Sequence, residues 1–166
     1  MIDAREENGL SGTANAQHAW RCASAADTRA AGAQLAELLL RAGNQSLPVI
    51  LTGPLGAGKT EFVRGVAEAL GCGEEVASPT FPIVHEYHSG ARPLLHFDFY
   101  RLEKEEEVWQ IGWEEYLGTG IILVEWGEKF PGVFSEGTLQ LTFFVHASGT
   151  RIIELRDFFA VKNLRE

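Results

Sequence analysis

Apolar positions along this chain fall into three spacings, and each predicts a kind of element. His18 to Ala23 is a short run read as a strand. Asp27 is read as the N-cap of a helix reaching about Ala42, with Leu35, Leu38 and Leu39 as its apolar stripe and Gly43 as its stop. Val49-Ile50-Leu51 is a compact apolar run after Pro48, the mark of a buried strand. From Lys59 the period turns helical: Phe62, Val63, Val66, Ala67 and Leu70 share one face, and Gly71 and Gly73 end it. Two prolines make Ser78 to Pro82 a loop. Ile83 to His88 and Leu94 to Tyr100 alternate as paired strands around a turn at Ser89 to Pro93. In the second of them Leu95, Phe97 and Phe99 point one way, and His96, Asp98 and Tyr100 the other. Glu103 to Leu117 reads as one amphipathic helix, with Trp109, Trp113, Tyr116 and Leu117 on its core face and Glu105 to Glu107 in solvent. Ile121 to Val124 is another buried strand, ending at Glu125. Leu139 to Val145 and Arg151 to Leu155 form a hairpin across Ala147-Ser148-Gly149.

This order predicts an α/β fold of three layers: a mixed, mostly parallel central sheet with the Val49 strand beside the Glu125 strand, and antiparallel hairpins at Ile83 to Tyr100 and Leu139 to Leu155. The 166 residues suit one domain, placed at 18–157. Residues 1–17, rich in Asn, Gly, Ser, Ala and Glu, read as a disordered leader, and residues 158–166 as a tail. The net charge of −9 argues against a large autonomous nucleic-acid surface. No apolar run approaches the ~20 residues of a membrane span, so no membrane partner is expected. The two cysteines, Cys22 and Cys72, exclude a disulfide scaffold and a zinc ribbon, and suit a cytoplasmic location. His85 and His88 have opposite strand parity, which argues against a shared metal.

The chemistry lies in Gly53-Pro54-Leu55-Gly56-Ala57-Gly58-Lys59-Thr60, which fits GxxxxGK[ST] without a mismatch, after a strand and before a helix. Glycines let the backbone N–H groups turn inward around phosphate oxygens, and the helix start adds its positive dipole end. Lys59 would put a point charge on the β- and γ-phosphates of ATP, and the Thr60 hydroxyl would ligate Mg2+. Magnesium also needs a carboxylate at a neighbouring strand end. Glu125 and Asp98 are the two candidates. For Asp98 the competing readings are a salt bridge to Arg92 or Arg101, or plain exposure. Either carboxylate could orient the attacking water. Trp126 could stack on or wall the base. No NKxD-type segment for guanine occurs.

Four motifs in order, GPLGAGKT (53–60), SPTF (78–81), HFDFYRL (96–102) and LVEWGEKF (123–130), resemble the bacterial TsaE family over about residues 18–157. The resemblance implies a weak P-loop ATPase required for threonylcarbamoyladenosine in tRNA, working with TsaD-like and TsaB-like proteins that grip the tRNA themselves. It also implies that Lys59 and Thr60 are the Walker A pair, that Asp98 stands near the magnesium and phosphates, and that Glu125 is the Walker B glutamate. Trp126 beside it would affect nucleotide handling, and Thr80 would belong to a switch-like loop near the γ-phosphate. The alternatives are a nucleotide-dependent switch with negligible turnover, and a small-molecule kinase. The kinase is disfavoured by the acidic stretch after Asp98, where an arginine-bearing lid would be needed.

Overall fold

The computed structural model describes residues 16–42, 47–72 and 75–159. The leader, apart from its last two residues, lies outside them, as do the helix stops assigned to Gly43 and Gly73. Seven strands, β1 (His18–Cys22), β2 (Val49–Thr52), β3 (Val84–Tyr87), β4 (Leu94–Asp98), β5 (Ile121–Glu125), β6 (Leu139–Val145) and β7 (Arg151–Asp157), form one sheet. Their spatial order is β1-β7-β6-β2-β5-β4-β3. The four middle strands, β6, β2, β5 and β4, run parallel. The outer pairs are antiparallel, as the two hairpin patterns predict. β2 and β5 are adjacent, so the glycine turn and Glu125 leave the sheet at one end.

Helices α1 (Ala25–Ala42) and α2 (Lys59–Leu70) cover one face, and α3 (Glu105–Gln110) and α4 (Trp113–Tyr116) the other. Leu51, Leu94, Leu123 and Phe143 pack under α1 and α2. Ile50, Leu95, Phe97 and Val124 pack with Val108 and Trp113 on the opposite side. With both faces covered, every residue of β4 and β5 is buried. The face of β4 that carries His96 and Asp98 is therefore not the solvent side of an amphipathic strand.

Three sequence expectations change. The first helix begins at Ala25, and Ser24, not Asp27, is its cap: Ser24 Oγ accepts the Asp27 N–H at 3.1 Å, while the Asp27 carboxylate accepts the N–H groups of Ser24 and Ala23. That is a capping box with Asp27 in its third position. The helix expected over 103–117 is two short ones. Gly112 sits at φ 79°, a left-handed conformation that ends α3 and turns the chain into α4. The break separates the two tryptophans: Trp113 is fully buried, whereas Trp109, expected in the core, is 41% exposed. At the C-terminal end, Phe158 is buried against Phe134, so the boundary drawn after 157 falls inside a packed segment.

Candidate functional site

The turn 53–58 joins β2 to α2. Gly56 and Gly58 have φ of 76° and 98°, which glycine adopts without strain. Gly58 caps α2, leaving the first N–H groups of that helix facing the turn. Lys59 folds back over it: its Nζ donates to the carbonyl of Gly53 at 2.6 Å and of Pro54 at 3.3 Å. Gly53 has no room for a side chain, since a Cβ there would lie 2.8 Å from that of Phe143 on β6. Leu55, at the tip, is fully exposed.

β4 and β5 are in register, with Asp98 opposite Glu125 at their carboxyl ends. Both acids are buried, at 4% and 6% exposure, and neither pairs with a lysine or arginine among the described residues. Asp98 Oδ2 accepts from the Thr80 hydroxyl at 2.9 Å and Oδ1 from the Tyr100 N–H at 2.8 Å. The salt bridges weighed for Asp98 are thus not formed; Arg101 instead lies over the Phe81 ring, 4.9 Å from its centroid. Glu125 Oε1 is 3.0 Å from His96 Nε2, and this histidine is wholly buried. With Glu125 ionised, the proton between them resides on Nε2, because a carboxylate only accepts.

Trp126 follows with φ 61°, an uncommon conformation for a bulky residue, and its ring sits 5.2 Å from that of Tyr100. Ile83, which ends the Ser78 to Pro82 loop, is likewise strained at φ 70°. Such outliers persist only where the surroundings over-determine them. One cleft of about 780 Å³ is lined by Lys59, Thr60, Thr80, Asp98, Glu125 and Trp126 among others. Of the sequence candidates, Leu55, Gly56, Ala57 and Gly58 also line it, whereas Gly53 and Pro54 contribute carbonyls to Lys59 from behind.

The sequence reading gave no role here to His96, Glu128 or Arg151. Glu128 lies in the 3-10 turn after Trp126, bonded to the Thr52 hydroxyl and close to Lys59 and Glu125. Burial pushes its carboxyl above the ordinary carboxylate value, and its buried Oε2 has no hydrogen-bond partner among the described residues. Its spacing, three residues past Glu125, could have signalled it. Arg151 reaches the glycine turn from β7 and has no local sequence signal.

A cleft of this kind suits a polyanion with a divalent cation: orphan amides and one lysine on one wall, buried acids on the other. Fold and site together define a mixed α/β protein with a glycine turn at the carboxyl ends of a parallel-centred sheet. The family model described as "Threonylcarbamoyl adenosine biosynthesis protein TsaE" matches residues 22–153, and the chain belongs to that family. The "tRNA threonylcarbamoyladenosine biosynthesis protein TsaE" of Treponema pallidum is 41% identical over 136 residues, which is 80% of this chain and 97% of that protein. The protein of the same description from Bacillus subtilis is 40% identical over 74% of each chain. A solved structure described as Bacillus subtilis YdiB superposes with a TM-score of 0.69 at 31% identity, over 89% of this chain and 90% of that one. Membership assigns the chain to threonylcarbamoyladenosine biosynthesis in tRNA. No described helix is long and apolar enough to cross a membrane.

Proposed function

We propose that the chain binds ATP with Mg2+ in this cleft and hydrolyses it slowly, as the nucleotide-driven subunit of the tRNA-modifying assembly. TsaB-like and TsaD-like proteins would be its partners, and tRNA would reach it only through them. The supporting observation is the pair of in-register, buried acids, Asp98 and Glu125, which line one cleft with Thr60 and the glycine turn and, among the described residues, have no lysine or arginine to balance them. Burying such a group uncompensated costs several kcal/mol, so a cation is the expected complement.

In this reading the amides of 55–60 and the Lys59 ammonium hold the triphosphate. Thr60 and Glu125 hold magnesium, directly or through its waters, and His96 keeps Glu125 turned toward the cleft. Bound magnesium would supply countercharge for the phosphates and align them. Asp98, tied to the Thr80 hydroxyl, stands where the loop 78–82 would meet the γ-phosphate. Asp98 or Glu125 orients the attacking water and takes up its proton.

Lys59→Ala and Glu125→Ala are each expected to abolish ATP-dependent tRNA modification in a system reconstituted with the partner proteins; full activity in both variants would reject the proposal. The strained Ile83 and the Thr80–Asp98 bond favour a second reading, in which nucleotide chiefly resets the 78–82 loop. Turnover measured with and without partners separates the two.

A further inference from the structure

Arg151 opens β7, with β6 and β2 standing between it and the Glu125 strand, yet its side chain crosses to the glycine turn. Its Nε donates to the Ala57 carbonyl and its Nη2 to the Gly56 carbonyl, each at 3.3 Å. Nη1 donates to the Gly149 carbonyl at 2.9 Å, which ties the fork to its own hairpin. All three acceptors are neutral. Among the described residues no carboxylate forms an ion pair with Arg151, and the residue also lines the cleft.

Two consequences follow from elementary geometry and charge. A trans peptide unit sets its C=O and its following N–H in opposite directions. Holding the Ala57 carbonyl therefore fixes the direction of the Gly58 N–H, one of the orphan donors at the start of α2. The fork grips two successive carbonyls beside two glycines of positive φ, the segment with the most backbone freedom to lose. Lysine, a point donor, cannot span both acceptors as a planar guanidinium does. Secondly, because the charge of Arg151 is spent on no acid, it adds to that of Lys59 on the wall where a polyphosphate would lie.

We propose that Arg151 is a positioning residue for nucleotide: it straps the 56–58 backbone in the phosphate-receiving conformation and lends the cleft a second positive charge. The β6–β7 hairpin thereby becomes part of the nucleotide site. This rests on the reading of the cleft as an ATP site, and the test keeps the two apart.

The test is calorimetric titration of MgATP into the unsubstituted protein, Arg151→Ala, Arg151→Lys and Lys59→Ala, with thermal melts of each without ligand. Arg151→Ala should weaken ATP binding about tenfold or more, the size expected for losing hydrogen bonds from a charged group. Arg151→Lys should recover only part of that, and free guanidinium ion should restore affinity to Arg151→Ala while leaving Lys59→Ala unaffected. A merely structural loss would not respond to guanidinium in this selective way. If Arg151→Ala does not fold, the partial loss in Arg151→Lys carries the same test. ATP binding by the unsubstituted protein that survives both Arg151 substitutions within twofold would overturn this inference alone. No ATP binding by the unsubstituted protein, with its fold intact, would overturn the nucleotide reading and this inference with it.

Discussion

At the scale of single residues, the cleft and the groups packed behind it include settings that cost free energy unless something compensates them. Glu128 is the clearest. Its carboxyl titrates above the ordinary 4.5 chiefly because burial disfavours the charged form, with Glu125 adding to the shift and Thr52 and Lys59 opposing it. A raised folded-state value means that the native protein holds this proton to higher pH than the unfolded chain does. Stability from this group is thus present below pH 4.5 and is lost as pH rises through the folded value. Glu128→Gln, which cannot ionise, should raise the melting temperature at pH 8, and the gain should shrink toward pH 4.5. Melts across that range check it; a gain independent of pH would show that charge is not the cause. Lys59, Thr60, Thr80, Asp98 and Glu125 were singled out in the sequence because each lies in a local motif, and the structure brings all five to one cleft. Arg151 was not, because it is separated from Ala57 by 94 positions and meets it only once the sheet has formed. His96 was placed on the face of Asp98 but given no role, since parity alone does not show that this face is covered by helices.

At the scale of elements, the helix pair α1 and α2 depends on close approach. A Cβ on Gly65 of α2 would lie 1.9 Å from the Arg29 carbonyl of α1, and one on Gly32 would lie 2.1 Å from the Phe62 carbonyl. These obstacles are backbone, which cannot swing aside. Gly65→Ala should therefore destabilise the fold by about 1–3 kcal/mol or more, despite the better helix propensity of alanine. Urea unfolding measures this, and an unchanged midpoint would mean that the helices part at little cost. On the other face, Trp113→Ala should cost about 3–5 kcal/mol, while Trp109→Ala should cost much less, because only Trp113 is enclosed by Phe97, Phe99 and Phe134. Strand and helix periodicity made most elements readable. The failure over 103–117 has a specific cause: an apolar stripe at helical spacing runs across Gly112, and only the backbone angle there shows that the helix ends and restarts. The cap at Ser24 was missed for a related reason, since Asp27 accepts the same kind of bonds from inside the first turn.

At the scale of the whole molecule, a parallel-centred sheet brings the ends of β2, β4 and β5 to one edge, and so unites a glycine turn with two acids far apart in sequence. The predicted adjacency of the Val49 and Glu125 strands held: β2 pairs with β5, which sets Glu125 beside the strand that leads into the glycine turn. The place of the β6–β7 hairpin on the other side of β2 could not be read, since nothing local fixes which edge a hairpin joins. With a formal charge of −9, the chain by itself should not retard tRNA in a native gel at physiological salt, and a mobility shift should require the partner proteins. A shift with this chain alone would contradict the division of labour proposed.

The central claim is that this cleft receives the phosphates of ATP together with a divalent cation. Titrating ATP in the presence of magnesium into the folded protein tests it most directly. The account predicts saturable 1:1 binding that falls sharply when magnesium is withdrawn and is lost in Lys59→Ala. Absence of binding at millimolar ATP, or binding indifferent to both magnesium and Lys59, would contradict it.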